Sequence, residues 1–233
     1  MHNRTFFHAA AMLALSLFSA VPAQAGIVIT GTRVIYPAGE QEVTVKIDND
    51  GERPVLVQSW IDEGDANASP ETASVPFTLT PPVSRINKGK GQMLRLIYTG
   101  ATLPADKESL FWLNVLEIPA TSQEKQNKLK MAFRSRLKIF YRPAGLPGSA
   151  NEAGQSVTWK KVPGGIEGTN PTPYFVSMAN VTGDKEGKVV VAKGGMIEPR
   201  GRIFFPGKKK LSVIYPSYID DYGGIKQVSQ PVS

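Results

Sequence analysis

Leu129-Lys130-Met131-Ala132-Phe133-Arg134-Ser135-Arg136-Leu137-Lys138-Ile139-Phe140-Tyr141 alternates without a break. The odd positions read Leu129, Met131, Phe133, Ser135, Leu137, Ile139 and Tyr141; the even ones include Lys130, Arg134, Arg136 and Lys138, and Arg142 follows. Period two puts these two sets on opposite faces of an extended chain. A typical strand has about 5–6 residues, and this run is more than twice that. It therefore outruns its sheet or passes through more than one environment. A long apolar strand with an open edge is a hazard that proteins normally suppress. A central core strand with charged, solvent-facing partners fits the same pattern, so the run by itself leaves both arrangements open.

Moving outward, the same period recurs. Val43, Val45 and Ile47 alternate with Thr44, Lys46 and Asp48; Val55, Val57 and Ser59 alternate with Leu56, Gln58 and Trp60; Leu94, Leu96 and Tyr98 alternate with Arg95 and Ile97. Phe111 to Ile118 is nearly continuous and apolar, as a strand covered on both faces would be. Pro37-Ala38-Gly39, Asn49-Asp50-Gly51, Pro81-Pro82 and Lys88-Gly89-Lys90-Gly91 separate these runs as turns. Short β-branched and aromatic runs at regular spacing predict an all-β sandwich. No long amphipathic helix is found, and the polar stretch Ser122 to Asn127 reads as a loop or a short helical turn.

Arg142-Pro143-Ala144-Gly145-Leu146-Pro147-Gly148 breaks the alternation, and its Pro and Gly density predicts a linker over 144–148. Further strand-like runs follow: Ser156 to Lys161, Tyr174 to Asn180, Gly187 to Ala192 and Lys210 to Tyr215. Asn170-Pro171-Thr172-Pro173, Gly164-Gly165 and Gly194-Gly195 read as turns. The expectation is a first β domain over 26–143 and a second, smaller β domain over 149–233.

The chain begins with Arg4, an apolar run from Phe6 to Val21, and Ala23-Gln24-Ala25. Charge, apolar stretch and small-x-small end form the pattern of a secretory signal peptide, with cleavage expected after Ala25. No later stretch is apolar enough over the roughly 20 residues a membrane span needs. The mature part, about 200 residues, is long enough for two domains that bury their own cores. With no cysteine, such domains rely on those cores rather than on disulfides. A cysteine-free exported chain points to a bacterial periplasm.

Both histidines, His2 and His8, lie in the leader. The mature chain therefore lacks Ser-His-Asp triads, thiol nucleophiles and imidazole or thiolate zinc sites. This points to binding rather than catalysis, and neither a cofactor nor a metal is expected. Carboxylate chemistry is left open. Asp220-Asp221 is an adjacent acid pair, but neighbours in a strand face opposite ways and are poorly placed to flank one bond. The formal charge of +7 can mean acidic partners, and nucleic acid is not an expected one in the periplasm. Lys208-Lys209-Lys210 reads as solvated surface, and Trp60, Trp112 and Trp159 as core residues in strands. Arg33 and Lys138, among apolar neighbours, read as surface charges or internal ion-pair partners, since a cleft cation must be paired. A secreted adhesive or carbohydrate-binding β module remains open at this level.

Seven stretches in order resemble the periplasmic chaperones of the chaperone–usher pilus pathway. They are Thr32-Arg33-Val34-Ile35-Tyr36, Pro81-Pro82-Val83-Ser84-Arg85, Lys107 to Val115 (KESLFWLNV), Glu117-Ile118-Pro119, Lys138-Ile139-Phe140-Tyr141-Arg142-Pro143, Asn170-Pro171-Thr172-Pro173-Tyr174 and Tyr218-Ile219-Asp220-Asp221-Tyr222-Gly223-Gly224. Together they span nearly the whole mature chain.

The resemblance implies two immunoglobulin-like β-sandwiches in an L or boomerang arrangement, and a chaperone that folds and caps pilin subunits before an outer-membrane usher. Leu129, Met131 and Phe133 would insert into the client groove. Arg33 and Lys138 would grip the client's C-terminal carboxylate. Glu108, Arg142 and Asp221 would form an interdomain salt bridge. The short connection between Pro119 and Leu129 resembles the branch associated with rod-like pili. Self-association of the free chain would cover its apolar strand. Lys138 has the opposite parity to Leu129, Met131 and Phe133, so either the two faces differ or a bulge intervenes.

Overall fold

The computed structural model describes residues 26–119, 131–207 and 211–233. The leader, Ser122 to Asn127, Leu129 and Lys208 to Lys210 lie outside the described residues. The first half of the chain forms β1 (Ile27–Ile29), β2 (Arg33–Pro37), β3 (Glu42–Asn49), β4 (Val55–Asp62), β5 (Phe77–Thr80), β6 (Val83–Ile86), β7 (Gly91–Tyr98), β8 (Ser109–Pro119) and β9 (Phe133–Arg142). They make two sheets, β1-β3-β7-β5 and β2-β9-β8-β4-β6.

The alternation in the sequence decides which face of each strand is buried. Val45 and Ile47 of β3 and Leu94 and Leu96 of β7 meet Leu113 and Val115 of β8 and Leu137 and Ile139 of β9 in one core. Between them, outward residues pair across strands, as Arg95 does with Glu42. Tyr36, Phe77, Tyr98, Phe111 and Tyr141 close one end of the core, with ring centroids such as Tyr36–Phe77 at 5.4 Å and Tyr98–Tyr141 at 4.6 Å. The chain enters along β3, then crosses at Gly31 to the other sheet, where β2 pairs with β9. Gly31 has a φ of 89°, which a residue with a Cβ adopts only with strain.

The second half opens with a 3-10 helix (Ala150–Ser156), then β10 (Thr158–Val162), β11 (Gly165–Thr169), β12 (Val176–Thr182), β13 (Val190–Ala192), β14 (Gly195–Ile197), β15 (Arg202–Pro206), β16 (Val213–Ile219), β17 (Ile225–Gln227) and β18 (Gln230–Pro231). Sheet β10-β11-β15 faces a sheet built on β12 and β16, over a separate core of Trp159, Ile166, Val176, Met178, Val181, Ile197, Phe205, Ile214 and Tyr218. The fold is all-β, in two sandwiches. Gly165 is the first residue of β11 rather than part of the turn expected at 164–165. Gly168 lies in the same strand and leaves room for the Trp159 ring, from which a Cβ there would stand 2.7 Å. The segment 144–148 is tied to the second sandwich: the Tyr174 hydroxyl donates to the carbonyls of Leu146 (3.2 Å) and Gly148 (3.3 Å).

Candidate functional site

The site is built on β9, and its two halves differ. From Lys138 to Tyr141 the strand is flanked on both sides, by β8 antiparallel and by β2 parallel, and Arg142 pairs with β2. From Phe133 to Leu137 it pairs with β8 alone. β2 begins opposite Lys138, so among the described residues nothing pairs with that half of the edge. Both sequence readings hold, one for each half: a core strand at its C-terminal end and an open edge at its N-terminal end. The described strand starts at Phe133, and Met131 and Ala132 precede it without strand pairing.

Parity is settled by an unbroken register. β8 and β9 pair continuously from Ser109↔Tyr141 to Glu117↔Phe133, with no bulge. Leu137, Ile139 and Tyr141 point into the first core. Phe133 continues that face beyond the core and is 59% exposed; Met131, before the strand, is 52% exposed. The even residues occupy the opposite face, toward the second sandwich, where Phe140 meets Phe175 at 5.9 Å. The apolar face and the cationic face are therefore two sides of one strand.

Arg33 and Lys138 are register partners in the β2–β9 pair. The Arg33 Nη1 donates to the carbonyl of Ile219 at 3.0 Å, and its Nε is buried without a partner. Lys138 Nζ lies 3.5 Å from Ser177 Oγ and 5.6 Å from the Trp112 ring centroid. Both cations are half-buried, and neither has a carboxylate at ion-pair distance among the described residues. Burial pulls the Arg33 guanidinium below its ordinary range, partly offset by the charges of Asp221 and Asp220. Burial, then the Arg33 charge, pulls Lys138 down. Two like charges held together with an unmet donor are chemically suited to an anion. Trp112, expected in the core, instead lies half-buried beneath this face.

Arg142 joins the two sandwiches. Its Nε donates to Glu108 Oε1 at 2.7 Å, and Nη1 and Nη2 donate to Asp221 Oδ2 and Oδ1 at 2.8 and 2.9 Å. The second oxygen of Glu108 accepts from the Phe175 amide at 2.8 Å, and the Glu108 amide donates to the Pro173 carbonyl at 2.9 Å. The Glu108 side chain is 1% exposed. Burial pushes its carboxyl up despite the Arg142 charge and the Phe175 amide. Burial works against the Arg142 charge too, but is outweighed by the bonds to Asp221 and Glu108, which hold it above its usual value. Asp220 plays a separate part: it accepts from the amides of Tyr222 and Gly224 and pairs with Lys226. The adjacent acids are thus both engaged in structure and do not converge.

Asp62, Asn114 and Arg136 were not singled out from sequence. Asp62 ends β4 and is buried. It accepts from Arg136 Nη2 at 2.6 and 2.9 Å, from Asn114 Nδ2 at 2.6 Å and from the Gly64 amide at 2.7 Å. Neither strand marks them: β4 already carries Gln58 and Ser59, and Arg136 is one of several cations on β9.

Residues 26–147 match the family described as pili and flagellar-assembly chaperone, PapD N-terminal domain. Residues 152–230 match the family described as pili assembly chaperone PapD, C-terminal domain. The chain is 46% identical over 226 residues to the chaperone protein FimB/FhaD of Bordetella pertussis, covering 93% of this chain and 92% of that one. The crystal structure of the Pseudomonas aeruginosa CupB2 chaperone superposes with a TM-score of 0.78 at 38% identity, over 88% of this chain and 100% of that one. The fold is also that of the structure of Salmonella enterica SafA pilin in complex with the SafB chaperone (TM-score 0.79, 24% identity, 91% and 98% coverage).

Proposed function

This chain belongs to the family of pili-assembly chaperones, and from that membership we propose how it holds a pilus subunit. The chain is a periplasmic chaperone of pilus assembly. Its client is a pilin that lacks one strand of its own sandwich, and β9 supplies the missing strand along the edge Phe133–Leu137. This is β-augmentation of the chaperone–pilin type. The half-paired β9 edge is the observation that carries the reading.

The chemistry divides between the two faces of β9. Leu129, Met131 and Phe133 insert into the client's open groove. Phe133 and Met131 are already exposed, so the free protein loses no packing when they move into a client. Arg33 and Lys138 hold the client's C-terminal carboxylate. A chain whose end sits at Lys138 and whose body lies along Phe133–Leu137 must run parallel to β9, as β2 does. The carboxylate thereby sets the register, and a one-residue slip would turn every inserted side chain outward. Glu108, Arg142 and Asp221 fix the angle between the sandwiches, and so the width of the cleft. Release proceeds at an outer-membrane usher without a cofactor. The free chain covers its open edge by self-association.

The test is co-purification from periplasm with a pilin encoded beside it. Wild type is expected to give a stable one-to-one complex, and the Arg33→Ala, Lys138→Ala double variant is expected to lose it while remaining folded. Equal recovery of the complex by the double variant would overturn the carboxylate anchor.

A further inference from the structure

The cationic face of β9 has more than one place where a carboxylate could land. Arg136 lies two residues from Lys138 on that face and directly beside the unpaired edge. A client anchored at Arg136 would be displaced by two residues, about 6.6–6.8 Å along the strand. A two-residue shift keeps every side chain on its proper face, so the alternation that rejects a one-residue slip does not reject this one. Only the anchor can tell the two registers apart.

Asp62 removes the rival anchor. Arg136 reaches diagonally across β8, over Trp112 at 4.8 Å from its ring centroid, to Asp62 on β4. The Asp62 side chain is 2% exposed and is held by Asn114 and the Gly64 amide as well. The guanidinium keeps one buried, unpaired Nε, but its charge is matched. Arg142, further along the same face, is matched by Glu108 and Asp221. Among the described residues, Lys138 and Arg33 have no such partner. We infer that Asp62 is a specificity residue that fixes the register of the client strand by neutralising Arg136 and leaving Arg33–Lys138 as the stronger anchor. This inference rests on the carboxylate-anchored reading above and deepens it. Asp62 acts through Arg136 and does not touch the client.

The experiment uses the full mature chain and a short peptide of alternating Val and Thr. The peptide has a free C-terminal carboxylate, and its next-to-last residue is the photoreactive p-benzoylphenylalanine. Cross-linked positions on the chain are mapped by mass spectrometry for wild type, Asp62→Asn, and Asp62→Asn with Arg136→Gln. Wild type is expected to give one set of adducts, lost with the C-terminally amidated peptide. Asp62→Asn is expected to add a second set displaced two residues toward Phe133. Its share is about one complex in ten if the rival anchor is weaker by one charge-assisted hydrogen bond. Adding Arg136→Gln is expected to restore the single set, which a general loosening of the domain would not do. Should Asp62→Asn not fold, Asp62→Ser carries the same expectation. A single wild-type register in the folded Asp62 variant overturns the inference alone. Wild type that binds acid and amide peptides equally overturns the anchor itself.

Discussion

Arg33 and Lys138 stand opposite each other across the parallel β2–β9 pair, two half-buried cations side by side in register. β2 supplies the first, and β9, about 100 residues later, the second, so each depends on the sandwich to bring it beside the other. Like charges at this spacing repel in the free protein, and an arriving carboxylate relieves both. Each charge-assisted hydrogen bond to it contributes about 1.5–3 kcal/mol. Arg33→Ala or Lys138→Ala alone is therefore expected to weaken client binding about tenfold to a hundredfold. Calorimetric titration with a carboxylate-terminated client peptide reads this directly, and a change of less than twofold would remove the residue from the anchor.

Lys138 is expected to make client binding sensitive to alkaline pH. Burial and the Arg33 charge lower its pKa in the fold, so between the folded and unfolded values the unfolded chain binds the proton more readily. The free protein is expected to gain stability as pH rises through the folded value toward the unfolded one near about 10.4. Client binding runs the other way, because it needs the charged form. Affinity is expected to fall in that window, before an ordinary lysine titrates, and Lys138→Arg is expected to flatten the fall. A wild-type affinity that holds constant to about pH 10 would contradict this assignment.

Phe133→Ala is expected to separate folding from capping. It is exposed and outside the core, so Phe133→Ala is expected to shift the stability of the free chain by no more than about 0.5 kcal/mol. Burial of an aromatic in the client groove contributes several kcal/mol before ordering costs. The same substitution is then expected to cost about 3 kcal/mol of client affinity. Thermal melting of the free chain and dissociation of the client complex, measured side by side, decide it. A large drop in melting temperature would place Phe133 in the fold instead.

Arg142→Ala leaves the buried Glu108 carboxylate without its cation. Breaking a buried pair from one side costs about 3–5 kcal/mol. The substitution is expected to loosen the two sandwiches, seen as a larger radius in solution scattering and faster cleavage within 143–149. Arg142→Lys is expected to rescue only in part, because an ammonium cannot bond Glu108 and both oxygens of Asp221 in one plane. Wild-type scattering and protease resistance in Arg142→Ala would end the bracing role.

Much of the fold was legible because one face of each strand is buried, and period two records that burial. β3, β4 and β7 were read this way, and β8 from its nearly continuous apolar run. β11 was not, because its glycine at 168 answers to the Trp159 ring from a neighbouring strand, and a tertiary contact leaves no local period. The site was legible unevenly. The Leu129 to Tyr141 alternation exposed the strand and its two faces but could not say where pairing stops; that depends on where β2 begins. The pairing of Arg33 with Lys138 entered through family resemblance, since no local pattern joins segments so far apart. Asp62 and Arg136 escaped because each looks ordinary in its own strand, and the relationship exists only across β8.

The Trp112 ring lies under Lys138 and Arg136 at the cleft, while Trp159 is packed against Phe205 in the second core and Trp60 lies beneath Arg134. Indole emission responds to the charges and water around the ring. With only three tryptophans in the chain, and one of them under Lys138, the proposed cleft carries its own optical reporter. Occupancy can be followed by unlabelled fluorescence in real time, with Trp112→Phe as the blank.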